Sequence, residues 1–138
     1  MSTVKAANLQ NTGSGAPTFK NSSGTEIGQL AKAWVSFNGT GTVAIRDDFN
    51  VSSITDNGTG DYTVNFTTAM ANTNYAVCGS TGLNSSSTHW QTVYVNVQAN
   101  SPYTQAPTTS AFRLATSHGG LDTNLDDNDR VNVSVFGA

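Results

Sequence analysis

The sequence has few charged residues and no long apolar run. Of its 138 residues, six are Lys or Arg and nine are Asp or Glu, which gives a net charge of −3 and a pI near 4.9. Without a basic stripe, the chain has no electrostatic source for binding nucleic-acid phosphates. No apolar stretch approaches the ~20 residues that a membrane helix needs, so membrane insertion is not expected.

The chain also lacks a signal-peptide pattern and a pair of cysteines. The first ten residues, MSTVKAANLQ, contain no apolar core of the kind that a secretion signal requires. We therefore expect synthesis in a cytoplasm. The single cysteine, Cys78, cannot form an internal disulfide. In the strand-like run YAVCGS it is expected to be a small buried apolar residue, and a reactive thiol is the alternative.

Uncharged polar residues are abundant instead. The chain contains 15 Ser, 20 Thr and 15 Asn, together 50 of 138 residues. These side chains compete with the helical backbone for hydrogen bonds, so they favour strands and turns. Because domains cluster near ~100–150 residues, the length fits one compact domain with an arm. The composition predicts an all-β, loop-rich protein.

The stretch 34–70 combines alternating β-forming residues with two copies of the tetrapeptide NGTG, at 38–41 and 57–60. Asn-Gly pairs can adopt φ > 0, so Asn38-Gly39 and Asn57-Gly58 are expected to form tight turns between strands. The period of two predicts half-buried strands. The side chains predicted to point inward are Val43, Ile45, Tyr62, Val64 and Phe66.

Alternation continues to the end of the chain and predicts about six to eight strands in residues 33–138. The further inward positions are Tyr75, Val77, Val93, Val95, Val97, Phe112, Leu114, Val131, Val133 and Val135. Strands joined by loops without a helical run predict an antiparallel β-sandwich. Tyr94 and Phe136 are apolar on the opposite, outward faces, which predicts contacts between subunits.

Residues 1–32 differ from the rest because their apolar residues are sparse and separated by Gly, Ser, Thr and Asn. Such a segment cannot bury enough surface to hold itself together. The pieces PTFKN and TEIGQL each alternate briefly and are predicted as short strands. We expect an extended arm that anchors the protein or contributes to a shaft, with a disordered tail as the alternative.

Residues 122–129 carry oxygen-bearing side chains at alternate positions, the kind of ligand that Ca²⁺ takes. Asp122, Asn124 and Asp126 match the first three ligand positions of a helix-loop-helix calcium loop. Asp127 stands where that loop needs glycine, and Val133 stands where it needs a bidentate glutamate. The pattern therefore favours a solvated turn before the last strand, and no metal or cofactor is expected.

The sequence also gives little indication of a catalytic site. The two histidines, His89 and His118, lie in no recognised catalytic motif, and no GxSxG elbow occurs. Paired carboxylates for glycoside cleavage would need a groove and a carboxyl group kept protonated by burial. The candidate carboxylates are Glu26, Asp47, Asp48, Asp56 and Asp61. The pattern places them in turns instead, so a non-enzymatic protein is predicted.

Aromatic residues and histidines beside polar loops are the remaining chemical feature. A ring can stack on the apolar face of a sugar while neighbouring polar groups bond its hydroxyls. The alternative for Trp90 is a place in the core or an interface. The predicted glycan surface lies on loops 81–90, 99–110 and 117–130, and its residues are His89, Trp90, Tyr103, His118, Asp122 and Asn124.

The segment PTFKNSSGTEIGQLAKAWVSFNGTGTVAIRDDFNVSSITDNGTGDYTVNFTTAM, followed by ANTNYAV, resembles a module of small virion fibre proteins from marine and other environmental tailed bacteriophages. The resemblance covers about residues 2–80. The later strands, from VYVNV to RVNVSVF, are similar in pattern alone to the sandwich of H-type lectins and trimeric phage-fibre tips.

The resemblance implies a homotrimeric structural protein of the virion. Residues 2–32 would then bind other virion proteins, and the sandwich would face outward. Two functions remain open at this point. One is a tail-fibre subunit that binds host surface polysaccharide, and the other is a capsid decoration, cement or head-fibre protein with a structural role.

Overall fold

The computed structural model describes residues 18–82, 91–95, 106–118 and 125–137, and its regular structure there is entirely β-strand. None of these residues belongs to a helix long and apolar enough to cross a membrane. The strands are β1 (Phe19–Lys20), β2 (Glu26–Gly28), β3 (Ala33–Asn38), β4 (Ala44–Phe49), β5 (Val51–Gly58), β6 (Asp61–Phe66), β7 (Ala76–Thr81), β8 (Gln91–Val95), β9 (Ala111–His118) and β10 (Val131–Phe136). The predicted all-β class is confirmed.

Contacts divide the chain into two units, one up to Leu30 and one, called the body here, from Ala31 onward. In the first unit β1 and β2 form a short antiparallel hairpin, as the alternation in PTFKN and TEIGQL predicts. The Asn21 side chain organises its turn, because Oδ1 accepts hydrogen bonds from the backbone N–H groups of Ser23 at 3.1 Å and Thr25 at 2.9 Å. This is the usual way in which asparagine stabilises a turn.

The body consists of two four-stranded antiparallel sheets. The first sheet has the strand order β4-β3-β10-β7, and the second has the order β5-β6-β9-β8. The sheets share one apolar core, so the predicted sandwich architecture is confirmed. β10 lies between β3 and β7, which places the last strand in the middle of the first sheet.

The core is formed by the inward faces of both sheets, as the period of two predicts. The predicted inward residues that are buried are Tyr62, Val64, Phe66, Tyr75, Phe112, Leu114, Val131, Val133 and Val135; Val43, Ile45, Val77, Val93 and Val95 pack against them. Val97 lies outside the described residues. Rings meet edge to face across the core, with the centroids of Phe37 and Tyr62 5.2 Å apart. Such ring pairs stabilise a core beyond their buried area.

β4 continues into β5 through a sharp corner at Asn50, which carries the chain from the first sheet to the second. Asn50 has φ of 57°, a conformation that asparagine tolerates better than most residues. Its side chain fixes the corner, since Oδ1 accepts from the Thr68 N–H at 2.7 Å and Nδ2 donates to the Lys32 carbonyl at 3.1 Å. The corner therefore ties three chain segments together.

The two NGTG segments form turns, but not as two-residue Asn-Gly turns. Of the residues in Asn38-Gly39 and Asn57-Gly58, only Gly58 has the expected positive φ, so the prediction is wrong for the others. The first connection is longer, since Asn38 pairs with Ala44, and the second is the two-residue connection Thr59-Gly60, since Gly58 pairs with Asp61. Asn38 instead accepts through Oδ1 from the Thr40 hydroxyl at 2.8 Å. The positive φ values in the two segments are Gly41 63°, Gly58 129° and Gly60 64°.

Cys78 is exposed, so the prediction of a buried thiol is wrong. In β7 and the residue before it, Tyr75 is buried and Val77 packs against the core. Successive side chains of a strand point to opposite faces, so Cys78 must point outward. It pairs with Ser134 on the outer face of the first sheet.

Candidate functional site

The strand ends define two opposite ends of the body. The turn end comprises the two NGTG turns, the last residues of β9 and residues 125–130. There the Gly39 N–H donates to the Asn128 carbonyl, and the Thr116 N–H donates to the Gly60 carbonyl, each at 2.8 Å. The corner end comprises Asn50, residues 67–75 and residues 106–110, where the Met70 N–H donates to the Thr109 carbonyl at 2.8 Å.

Of the six predicted glycan-binding residues, the described part of the chain contains only His118, at the turn end. His89, Trp90, Tyr103, Asp122 and Asn124 lie outside the described residues. Their described neighbours show where each segment is attached. Gln91 pairs with His118, and Leu125 forms a bridge with Ser117, so the segments 83–90 and 119–124 both attach at the turn end.

The segment that contains Tyr103 is attached elsewhere. It is preceded by Val95, which pairs with Leu114 in the middle of β9. It is followed by residues 106–110, which belong to the corner end. The described strand ends thus separate the attachment points of loop 99–110 from those of the other two predicted loops.

Residues 125–128 are held at the turn end by a partly buried hydrogen-bond network, and the prediction of a solvated turn is wrong for them, whereas Asp129 and Arg130 are exposed. Asp127 Oδ1 accepts hydrogen bonds from the Tyr62 hydroxyl at 2.8 Å and from the Gly60 N–H at 2.7 Å. The Tyr62 hydroxyl also lies 3.1 Å from the Gly39 carbonyl oxygen. One carboxylate therefore joins the two NGTG turns to the segment before β10.

A second part of the network contains His118. Its Nδ1 bonds to Asp126 Oδ2, which also accepts from Gln91 Nε2 at 3.2 Å. Asn128 is fully buried and donates through Nδ2 to Gln91 Oε1 at 3.3 Å. His118 is half-buried and bonded to a carboxylate, so it is part of the hydrogen-bond network at the turn end. Among the described residues, no three His, Cys, Asp or Glu side chains are grouped to hold a metal ion.

An ion pair lies on the outer face of the second sheet. Arg113 donates to Asp61 through two parallel bonds, Nε to Oδ1 at 2.7 Å and Nη2 to Oδ2 at 2.8 Å. These hydrogen bonds raise the pKa of the guanidinium. Bidentate charge-assisted pairs are stronger and more directional than single bonds. Polar side chains continue along this face, where Asn57 Nδ2 donates to Thr63 Oγ1 at 2.9 Å.

The outer face of the first sheet carries a group of exposed rings, called the aromatic face here and formed by Trp34, Phe49 and Phe136. Their exposed fractions are 36%, 54% and 38%. Trp34 pairs with Phe49 on one side and with Ser134 on the other. The outward position of Phe136 was predicted from its strand; Trp34 and Phe49 were missed. The alternation of side chains could have placed Trp34 outward, because it stands between Ala33 and Val35, which point inward.

Two buried tyrosines predict a loss of stability at high pH. Burial raises the pKa of Tyr75 to about 12, and burial followed by the neighbouring Asp127 raises the pKa of Tyr62 well above its ordinary value. The unfolded chain loses these protons near pH ~10, whereas the folded chain keeps them. Stability should therefore be complete below pH ~10 and fall above it, by about 1.4 kcal/mol per pH unit for each tyrosine.

Urea unfolding between pH ~9 and ~11 measures this effect. The double variant Tyr62→Phe, Tyr75→Phe should be less stable at neutral pH, because its hydrogen bonds are lost, yet should show a flatter decline above pH ~10. The other ionisable residues are the same in both proteins, so the difference between the two curves reports the tyrosines. An equally steep fall of stability above pH ~10 in both proteins would contradict the raised pKa values of the two tyrosines.

The described residues thus form three surface features: the turn end with its hydrogen-bond network, the aromatic face on the first sheet and the ion pair on the second sheet. Comparisons of the chain with protein-family models, with curated proteins and with solved structures find no match.

Proposed function

We propose that the chain is a non-enzymatic structural protein of a bacteriophage virion, and specifically a tail-fibre subunit that recognises glycan on the host surface. The resemblance of residues 2–80 to small phage fibre proteins supports the virion assignment. The observation that carries the recognition role is the construction of the turn end. It holds the attachment points of two polar loops side by side on a rigid sandwich.

The turn end has the features of a binding platform. Segments 83–90 and 119–124 are flanked by residues that pair across β8 and β9 or bridge to β9. The Gly82 N–H also donates to the Arg130 carbonyl at 2.9 Å, which joins the start of the first segment to the chain before β10. Binding residues are typically carried by loops on such a scaffold. The two segments contain His89, Trp90, Asp122 and Asn124.

The protein is proposed to act as a homotrimer, with copies packing through the aromatic face. Its three rings are the exposed large hydrophobic residues of the described body, and all three lie on one half of one sheet. A clustered apolar patch marks an interaction surface more reliably than scattered residues do. Aromatic residues are enriched at the centres of protein interfaces.

Charge supports another copy of this chain as the partner at this face. The flanking charged residues carry both signs, with Lys32 preceding β3 and Asp47 pairing with Ser36 further along the same strand. Neither a strongly basic nor a strongly acidic partner fits such a rim. A second copy supplies both an apolar centre and the opposite charge for each rim residue.

Binding of the purified assembly to a glycan array and to a panel of bacterial cells tests the recognition role. We expect binding to both, with Trp90→Ala weakening it at least tenfold because a stacking ring is lost. Thr55→Ala, on the outer face of the second sheet, is the matched control and should leave binding unchanged. Failure of the assembled wild-type protein to bind any glycan or cell would overturn the proposal, and shortening of the polysaccharide would contradict the non-enzymatic assignment.

The alternative is a capsid decoration, cement or head-fibre protein with a purely structural role. The exposed apolar residues of the hairpin unit, Phe19, Ile27 and Leu30, support it as well as the fibre role, because they need a partner surface under either. Under both functions residues 2–32 bind other virion proteins, so their deletion should abolish incorporation. The position of the protein in a reconstructed particle separates the two: density at the tail supports the fibre role, and density on the capsid supports decoration.

A further inference from the structure

An open cavity of about 230 Å³ lies beside the outer face of the second sheet. It forms where residues 106–111 pass next to β6 and β9, and its described lining includes none of the six residues predicted from the sequence. This volume is below the ~300–1,000 Å³ of pockets for drug-sized ligands, so the cavity has room for one small ring. The lining residues are Thr63, Ala106, Thr108, Ala111, Phe112 and Arg113.

One wall of the cavity offers hydrogen-bond donors in fixed positions. Arginine has five N–H donors, and the ion pair with Asp61 uses two of those on Arg113. Thr63, which pairs with Arg113 across the strands, accepts through Oγ1 from Asn57 at 2.9 Å. Its own hydroxyl proton is then available to donate. The ion pair holds the guanidinium in place before any ligand arrives.

The opposite wall is apolar and equally fixed. Ala106 and Ala111 supply carbon surface, whereas the ring of Phe112 points into the core. The Thr108 hydroxyl is committed to the local backbone, since it accepts from the Ala111 N–H at 3.0 Å and lies 3.1 Å from the Ala111 carbonyl. Its bonds therefore rigidify the wall and leave it little capacity to contact a ligand. The cavity thus has one donor side and one carbon side.

This geometry points to a subsite for a single neutral sugar ring. A pyranose has an edge of hydroxyl oxygens that accept hydrogen bonds and a face of C–H groups that packs on carbon surface, which matches the two walls. Asp61 neutralises Arg113, so the wall donates hydrogen bonds without an excess positive charge to attract an anion. The inference rests on the proposed glycan recognition for its ligand class, and adds a second place on the body where a glycan chain is held.

Amide NMR of the full chain tests the subsite with methyl glycosides of glucose, galactose, mannose and N-acetylglucosamine, each added separately. At least one should shift the amide signals of Thr63, Thr108, Ala111 and Arg113 in a saturable way. Glucuronate, an anion of the same size, should bind more weakly than the neutral sugar. No saturable shift at these residues with any of the four glycosides, or tighter binding of glucuronate, would overturn the inference.

Ala111→Leu is the decisive variant, because its larger side chain occupies the cavity while Arg113 and Asp61 themselves are unchanged. It should lower the sugar affinity at least tenfold. Ala44→Leu, on an exposed position of β4 in the first sheet, is the matched control and should leave the affinity unchanged. Unchanged affinity in Ala111→Leu would contradict the subsite. Sugar binding at these amides without any binding to cells or arrays would instead contradict the proposed function and leave the subsite standing.

Discussion

Replacing Gly60 with alanine should destabilise the protein far more than replacing Gly41 with alanine, although the two residues have almost the same φ, 64° and 63°. Each substitution places a Cβ in the left-handed region, at about 1–2 kcal/mol. At Gly41 the new atom meets nothing within 4 Å, whereas at Gly60 it would lie 2.5 Å from the Thr116 carbonyl oxygen and 3.0 Å from the Asp126 backbone nitrogen. Both neighbours are backbone atoms, so the turn itself must move.

The expected loss is about 1–2 kcal/mol for Gly41→Ala and about 3–5 kcal/mol for Gly60→Ala, because displaced packing adds to the strain. Denaturant unfolding with a common m value measures both. Gly41→Ala is the matched control, since it changes the same residue type at the same φ in the other NGTG turn. Equal losses in the two variants would show that the Gly60 turn does not pack against the segment that carries Asp126.

Replacing Trp34 with glutamate should convert the assembly into single chains of 14.4 kDa. In the proposed interface each copy would bury a carboxylate against apolar rings, and an unpaired buried charge costs several kcal/mol. In the single chain Trp34 is exposed on the outer face. The substitution removes its cross-strand pair with Phe49, which should cost about 0.2–1 kcal/mol of folding stability and leave the variant folded.

Sedimentation velocity distinguishes the two states, and thermal unfolding checks that the variant is folded. Thr55→Glu adds the same charge to an exposed position on the outer face of the second sheet, and it should sediment like the wild type. The interface would be misplaced if Trp34→Glu sedimented as the wild-type oligomer. The self-association proposal itself would fail if the wild type were a single chain at all concentrations.

The core could be predicted from the sequence because the side-chain period of a strand is a local property. Val131, Val133 and Val135 alternate with polar residues and are buried. Their partners could not be predicted, since β10 pairs with β3 about a hundred residues earlier in the chain. Alternation determines which face of a strand is buried, whereas the order of strands in a sheet depends on contacts between distant segments.

The hydrogen-bond network of Asp127 at the turn end could not be predicted for the same reason. Residues 125–130 have the composition of a solvated turn, yet the Asp127 carboxylate bonds to Tyr62, 65 residues away, and to Gly60, 67 residues away. Polar residues in a loop become buried when distant segments supply their hydrogen bonds. By contrast, Cys78 could have been placed outward because Val77 beside it was already predicted to point inward. Extending the same period to Val35 and Phe37 would have placed Trp34 outward as well.

The reactivity of Cys78 tests the packing of copies through the aromatic face most directly. Cys78 pairs with Ser134, which pairs in turn with Trp34, so the thiol lies in the same row of the sheet as the rings. It is exposed in the single chain. Maleimide labelling should therefore be slow in the assembled wild-type protein and fast in the Trp34→Glu variant. Equally fast labelling in both, while the wild type sediments as an oligomer, would contradict the packing of copies through this face.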